Sequence, residues 1–196
     1  MQNENRFLSY VLVVGGIIGL LFSTLILIEK MNLVQDPNYI PPCNISPFIS
    51  CGSVMVTPQA SIFGFPNSFL GMVGFSVMMT VGMALLAGAT YKRWFWLSAQ
   101  VGMTFSLGFV YWLFFQSVYR IGALCPYCMV VWTVTIPMFW YLTLYNLREG
   151  HLPLLNNWPV AVDYLHKHSG KILALFYFVI VAAILIHFRV YWGALM

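Results

Sequence analysis

The sequence predicts an all-α membrane protein, a four-helix transmembrane bundle with a fifth transmembrane helix and an apolar loop over one end. Three observations carry this expectation. Of 196 residues, 61% are hydrophobic and only 7% are charged, against roughly 25% charged in an ordinary soluble domain. The uncharged stretches number five, each near or above the ~20 residues a helix needs to cross a bilayer. The four cysteines, Cys43, Cys51, Cys125 and Cys128, all lie in the loop or at the mouth of a span. The 9 Lys and Arg form no cluster longer than Lys92-Arg93. The positive balance therefore reads as membrane topology and excludes a nucleic-acid surface.

The expected spans are about 8–28, 69–91, 94–119, 125–145 and 172–192. The first is uncharged from Leu8 to Ile28 and closed by Glu29-Lys30. It is too long for a cleaved signal peptide and no A-x-A-like site follows, so it is expected to stay as a span. The second ends at Lys92-Arg93, which predicts a very tight turn into the third. The third ends at Arg120, and a short link leads to the fourth. Pro137 lies inside the fourth span. It removes one backbone donor, which a membrane helix tolerates where a neighbour satisfies the freed carbonyl. A longer polar link, 146–170, precedes the fifth span. Trp158, Val162 and Leu165 recur in it at helical spacing and predict a short interfacial helix.

The loop, residues 30–66, is unusual. It holds six of the ten prolines, and no charge occurs between Asp36 and Lys92. Its Ile45, Phe48, Ile49, Val54, Met55, Ile62, Phe63 and Phe65 suit a lid packed on the bundle. Proline makes such a loop less costly to order. Packing alone is the plainer reading of this loop.

Orientation follows from the basic residues. With the N-terminus in the cytoplasm, Arg6, Lys92, Arg93, Arg148, Lys167 and Lys171 lie inside, and Lys30, Arg120 and Arg189 outside, six against three. Both cysteine pairs then face the outer side, where disulfides persist.

The cysteine pattern limits the chemistry. Cys43 and Cys51 are too far apart in sequence, and too far from any histidine, for a structural zinc site. Met129 after Cys128 excludes c-type haem attachment. A Cys-x-x-Cys pair closes almost no chain, so as a staple it stabilises little, and such pairs serve exchange. Pro126 suits the first position of a helix. Cys125 is thus expected at the N-cap, where the helix dipole favours a thiolate, with Cys128 about one turn deeper. Two thiol pairs in a bilayer require an external electron acceptor, and the natural one there is a quinone. A disulfide-stapled scaffold or a small transporter component stays open as a non-enzyme alternative. Against a transporter, the spans carry no Asp, Glu, Lys or Arg at mid-depth.

Together, Cys43-x7-Cys51-Gly-Ser-Val-Met, Ser61-Ile-Phe-Gly-Phe-Pro-Asn67-Ser68-Phe-Leu-Gly71 and Cys125-Pro-Tyr-Cys128 resemble the bacterial homologues of vitamin K epoxide reductase, over about residues 8–145. The resemblance implies a four-helix bundle around a quinone site (menaquinone or ubiquinone), a fifth helix and an outer lid loop. It implies a thiol oxidase of the bacterial cytoplasmic membrane, supporting disulfide formation, with a thioredoxin-fold, DsbA-like periplasmic protein as partner. Many members lead from the fifth span to such a domain. This sequence ends at Met196, and either a separate partner protein or removal of such a domain from the chain is expected. Carried over, Cys43 exchanges with the partner, Cys51 passes electrons to Cys125, and Cys128 faces the quinone. Asn67 matches the asparagine that bonds a quinone oxygen. Thr57 stands at a serine or threonine of the lid. Trp132 stands where the vertebrate enzyme has a tyrosine. Plainer readings exist for these three, as a helix cap, a turn residue and core packing. Reduction of vitamin K epoxide uses the same residues and is the alternative activity. Asn44-Ile45-Ser46 would be a glycosylation sequon beside Cys43 in a eukaryotic lumen, which favours the bacterial setting.

Overall fold

The computed structural model describes residues 2–36, 38–152 and 159–189. Five of its helices are long and apolar enough to cross a membrane, which makes this an integral membrane protein. They are α1 (Gln2–Gln35), α3 (Ser68–Leu86), α4 (Arg93–Phe115), α5 (Pro126–Arg148) and α7 (Ser169–His187). Two shorter helices are α2 (Cys51–Met55), in the loop, and α6 (Pro159–Lys167). Trp158, part of the expected interfacial helix, and positions 190–192 of the expected fifth span lie outside the described residues.

Helix α1 is the hub. It packs along α3 and α5, and α4 packs on α5, while α3 and α4 hardly meet. Close approach comes from small residues. A Cβ on Gly16 would run into the Met79 backbone, and one on Gly19 into the Phe75 ring, so the bare glycines let the helices touch. Leu12, Met138 and Leu142 are fully buried in the resulting core. At the end of the bundle remote from the cysteines, Gln100 donates to Thr143 Oγ1 (2.8 Å) and accepts from Asn146 Nδ2 (2.9 Å). These side chains tie α4 to α5 where water is absent.

Helix α3 stops at Leu86, short of the expected Tyr91, and the connection to α4 is longer than a tight turn at 92–93. Gly88 has φ +90°. Its N–H bonds to Leu85 O (3.0 Å) and that of Ala89 to Ala84 O (2.9 Å), the paired bonds of a glycine-terminated helix. Apolarity continues past this point, but helical backbone does not. Helix α4 passes into a wider π-helical turn, Gln116–Ile121, closed by Gly122 in the left-handed conformation (φ 71°). Helix α1 runs on through the charged pair Glu29-Lys30, so the loop begins at residue 36.

Pro137 lies within α5 and leaves the carbonyl of Thr133 without its helical donor. The hydroxyl of Tyr177, on α7, donates to it at 2.6 Å. The far end of α7 places Ile184 and Phe188 in a cluster with Phe48, Val118, Leu124 and Trp132, so α7 buttresses the loop. Tyr177→Phe should lower stability by about 1 kcal/mol, measured by reversible unfolding in mixed micelles. In a Pro137→Ala background, where the restored N–H reaches Thr133, the same change should cost clearly less. Equal costs would contradict this role.

Candidate active site: two cysteine pairs over a membrane cavity

The loop is ordered by its own polar groups. Ser50 caps α2, accepting from Ser53 N (3.1 Å). Asn44 Oδ1 accepts from Gly52 N (2.9 Å) and Ser50 Oγ (3.1 Å). Residues 48–50 are then stitched to the segment preceding α5, with Leu124 N donating to Phe48 O (2.8 Å) and Ser50 N to Leu124 O (2.9 Å). These bonds form an isolated parallel bridge between Ile49 and Leu124. Cys51 follows directly on one side and Cys125 on the other, so the bridge sets the two sulfurs 3.4 Å apart. Both are fully buried, under Met55 and beside Ile26, Leu33, Val54 and Tyr127.

Cys43 and Cys51 form a disulfide, and Cys125 and Cys128 are free thiols. Cys125 is the N-cap of α5, with Pro126 as the first helical residue. Its sulfur accepts from Cys128 N (3.4 Å). The Cys125 thiol is held below the ordinary cysteine range, first by the hydrogen bond from the Cys128 side chain. Burial opposes this, and the backbone N–H groups of Cys128 and Tyr127 add to it. Cys43 is also buried, between the exposed Ile40 and Ile45.

Cys128, half-buried and packed against the same cluster, borders a cavity of about 570 Å³, a size typical of small-molecule sites. The walls are mostly apolar, and Val73 and Val77 on α3 and Phe105 and Phe109 on α4 belong to them. The cavity exists because α3 and α4 stay apart. Trp132, Asn67 and Thr57 all border it. Trp132 is buried edge-on against Phe114, ring centres 5.3 Å apart. Asn67 occupies the N-cap of α3 but makes no side-chain cap bond. Its carboxamide instead spans the loop, donating to Gln59 O (2.7 Å) and accepting from Ile62 N (3.2 Å). One Nδ2 hydrogen remains for a ligand. The Thr57 hydroxyl donates to Val54 O (2.7 Å), so towards the cavity it can only accept. Phe114 and Tyr127 are not among the lining residues.

Two lining residues had no functional reading in the sequence. Ser68 Oγ is buried without a hydrogen-bond partner. It follows Asn67 directly, which was a usable signal. Lys30, read above only as a topological charge, also borders the cavity.

The chain matches the vitamin K epoxide reductase family over residues 10–143. No curated protein matches it. The family match takes in both cysteine pairs, the loop and most of the bundle around the cavity. Members of that family are oxidoreductases, and the family in general uses quinones. With more than half of its length matched, the chain belongs to the vitamin K epoxide reductase family.

Proposed function

We propose that this protein is a quinone-dependent thiol oxidase that draws electrons from a thioredoxin-fold partner through its two cysteine pairs. The observation that carries this reading is the position of the Cys125-Cys128 pair. Cys125 lies 3.4 Å from Cys51, and Cys128 borders the apolar cavity. Such a pair has one sulfur towards each reaction partner.

The residues present suit a quinone. The cavity is apolar and of fitting size. The unpartnered Ser68 hydroxyl and the remaining Asn67 N–H supply donors at its rim for a carbonyl oxygen. A bound quinone would supply a two-electron, two-proton acceptor. The rest is done by the chain. A reduced partner opens the Cys43–Cys51 disulfide at Cys43, leaving as its own disulfide. Because Cys43 is covered in this conformation, the loop must lift to admit it. Cys51 thiolate then attacks Cys125 of an oxidised Cys125–Cys128 pair and frees Cys128. Cys43 resolves the Cys51–Cys125 bond, restoring its own disulfide and leaving Cys125 and Cys128 reduced. That distribution of bonds and thiols is the one observed. Re-forming the Cys125–Cys128 bond sends two electrons and two protons into the cavity. Trp132 excludes water beside Cys128. Asn67 and Ser68 orient the acceptor, and Thr57 closes the rim. Direction follows from potential, each 30 mV being worth about 1.4 kcal/mol for a two-electron couple.

The charge bias and the cysteine placement support a bacterial cytoplasmic membrane setting, with the N-terminus inside and the cysteines outside. In a cysteine-free variant, an impermeant maleimide added to intact cells should label Ile45→Cys and spare Thr90→Cys. The reverse pattern would overturn the orientation. Purified protein should oxidise a dithiol thioredoxin-fold substrate when a quinone is added, and Cys128→Ala should lower that turnover by ~10³-fold or more. Retained turnover would remove Cys128 from the quinone step. Thiolate absorbance provides a third check, in a variant whose only thiols are Cys125 and Cys128. A lowered pKa keeps the thiolate to lower pH, so the first ionisation should fall below the usual value of about 8.5. Adding Cys128→Ala, which removes the side-chain donor that lowers it most, should move that midpoint up.

A further inference from the structure

Lys30 is the one charged side chain among the described residues that line the cavity. It shares a face of α1 with Ile26 and Leu33, since positions 26, 30 and 33 follow the helical repeat, and those two residues pack on the Cys51–Cys125 cluster. Its ammonium donates to Ala60 O (3.3 Å) and to Ser61 Oγ, which are neutral acceptors in the 3-10 turn Pro58–Ser61. Asn67 grips the same turn at Gln59. An ammonium has three N–H groups, so one is left over. The neighbouring carboxylate, Glu29, is engaged by the Tyr39 hydroxyl (2.7 Å), and no acidic group pairs with Lys30 among the described residues.

A cation set into an apolar wall is costly unless something of opposite charge meets it. The protein offers only neutral oxygens. Lys30 is half-buried, and an occupant that becomes negative beside it would supply that charge. Its hydrogen bonds go to the turn at Ala60 and Ser61, and none goes to a cysteine sulfur.

We propose that Lys30 is a catalytic residue that binds the negative charge developing on a quinone oxygen as the cavity's occupant is reduced. The proposal rests on the quinone reading above and names the group that favours the reduced form. As the Cys125–Cys128 bond forms, two electrons and two protons leave the thiols and end on the acceptor. Lys30 is chemically unchanged. Its ammonium attracts the acceptor's oxygen most strongly while electrons have arrived ahead of protons. That is selective binding of the transition state over the neutral ground state.

A binding experiment tests this without turnover. Full-length protein is titrated with two ring systems of similar size, a neutral methylnaphthoquinone and a hydroxynaphthoquinone that is ionised at neutral pH. Quenching of tryptophan fluorescence, with Trp132 in the cavity wall, reports affinity. The wild type should bind the anion about tenfold or more tightly than the neutral ring. Lys30→Met should lose that preference while keeping affinity for the neutral ring. Lys30→Arg should retain it. Ser61→Ala weakens the tether to the turn but leaves the charge, so it should keep the preference too. The proposal is overturned if the wild type shows no preference, if Lys30→Met keeps it, or if Ser61→Ala loses it as fully as Lys30→Met does. The last result would make Lys30 a structural tether. If the neutral ring fails to bind the wild type, the quinone reading itself falls and this proposal with it.

Discussion

Two backbone hydrogen bonds, between Leu124 and residues 48–50 of the loop, hold the chemistry of this protein in place. Cys51 and Cys125 each follow in sequence a residue that these bonds hold, so main-chain geometry brings the two cysteines side by side. Each bond is worth only about 1 kcal/mol net. Left open in so apolar a setting, the same groups would cost more than they gain when paired. The bridge is therefore hard to break locally, and the loop must be ordered for it to form. Prolines, the Ser50 cap and the Asn44 carboxamide do the ordering. Phe188 and Ile184 of α7 cover the cluster that includes Phe48 and Leu124. The fifth helix is thus part of the apparatus that keeps the two cysteine pairs in register.

The bundle meets a second constraint, which pulls against packing. A reaction cavity needs unfilled space, yet membrane helices associate through close contact. The chain divides the two demands by side. Helix α1 carries glycines where it meets α3 and α5, and contact there is tight. On the opposite side α3 and α4 stand apart, and valine and phenylalanine side chains bound the gap. Two groups of polar side chains lie at the ends of the bundle. Gln100, Thr143 and Asn146 bond to one another at one end, and Lys30, Asn67, Ser68 and the cysteines gather at the other.

What could be read from the sequence was what local rules decide. Cys125 at the N-cap with Pro126 behind it is a statement about one turn of backbone, and so is the free carbonyl that Pro137 creates. What could not be read was the non-local partner. Nothing near Pro137 names Tyr177 as its donor, and nothing near Asn67 says that its carboxamide is engaged by the turn at Gln59. Lys30 looked like a marker of topology because its partners, Ala60 and Ser61, lie 30 and 31 residues away in sequence. The end of α3 was misjudged for a different reason. Hydrophobicity runs on to Tyr91, and it outweighed the Gly88 signal that stops the helix. The π-helical turn at Gln116–Ile121 has no sequence signature that we recognise.

The relay depends above all on Cys51 and Cys125 being each other's partners. The most direct test is a Cys43→Ala, Cys128→Ala protein, which retains those two thiols alone, treated with one equivalent of a mild oxidant. Peptide mapping without reduction should find a single intramolecular Cys51–Cys125 disulfide in nearly all molecules. Two free thiols, or bonds only between separate chains, would contradict the relay.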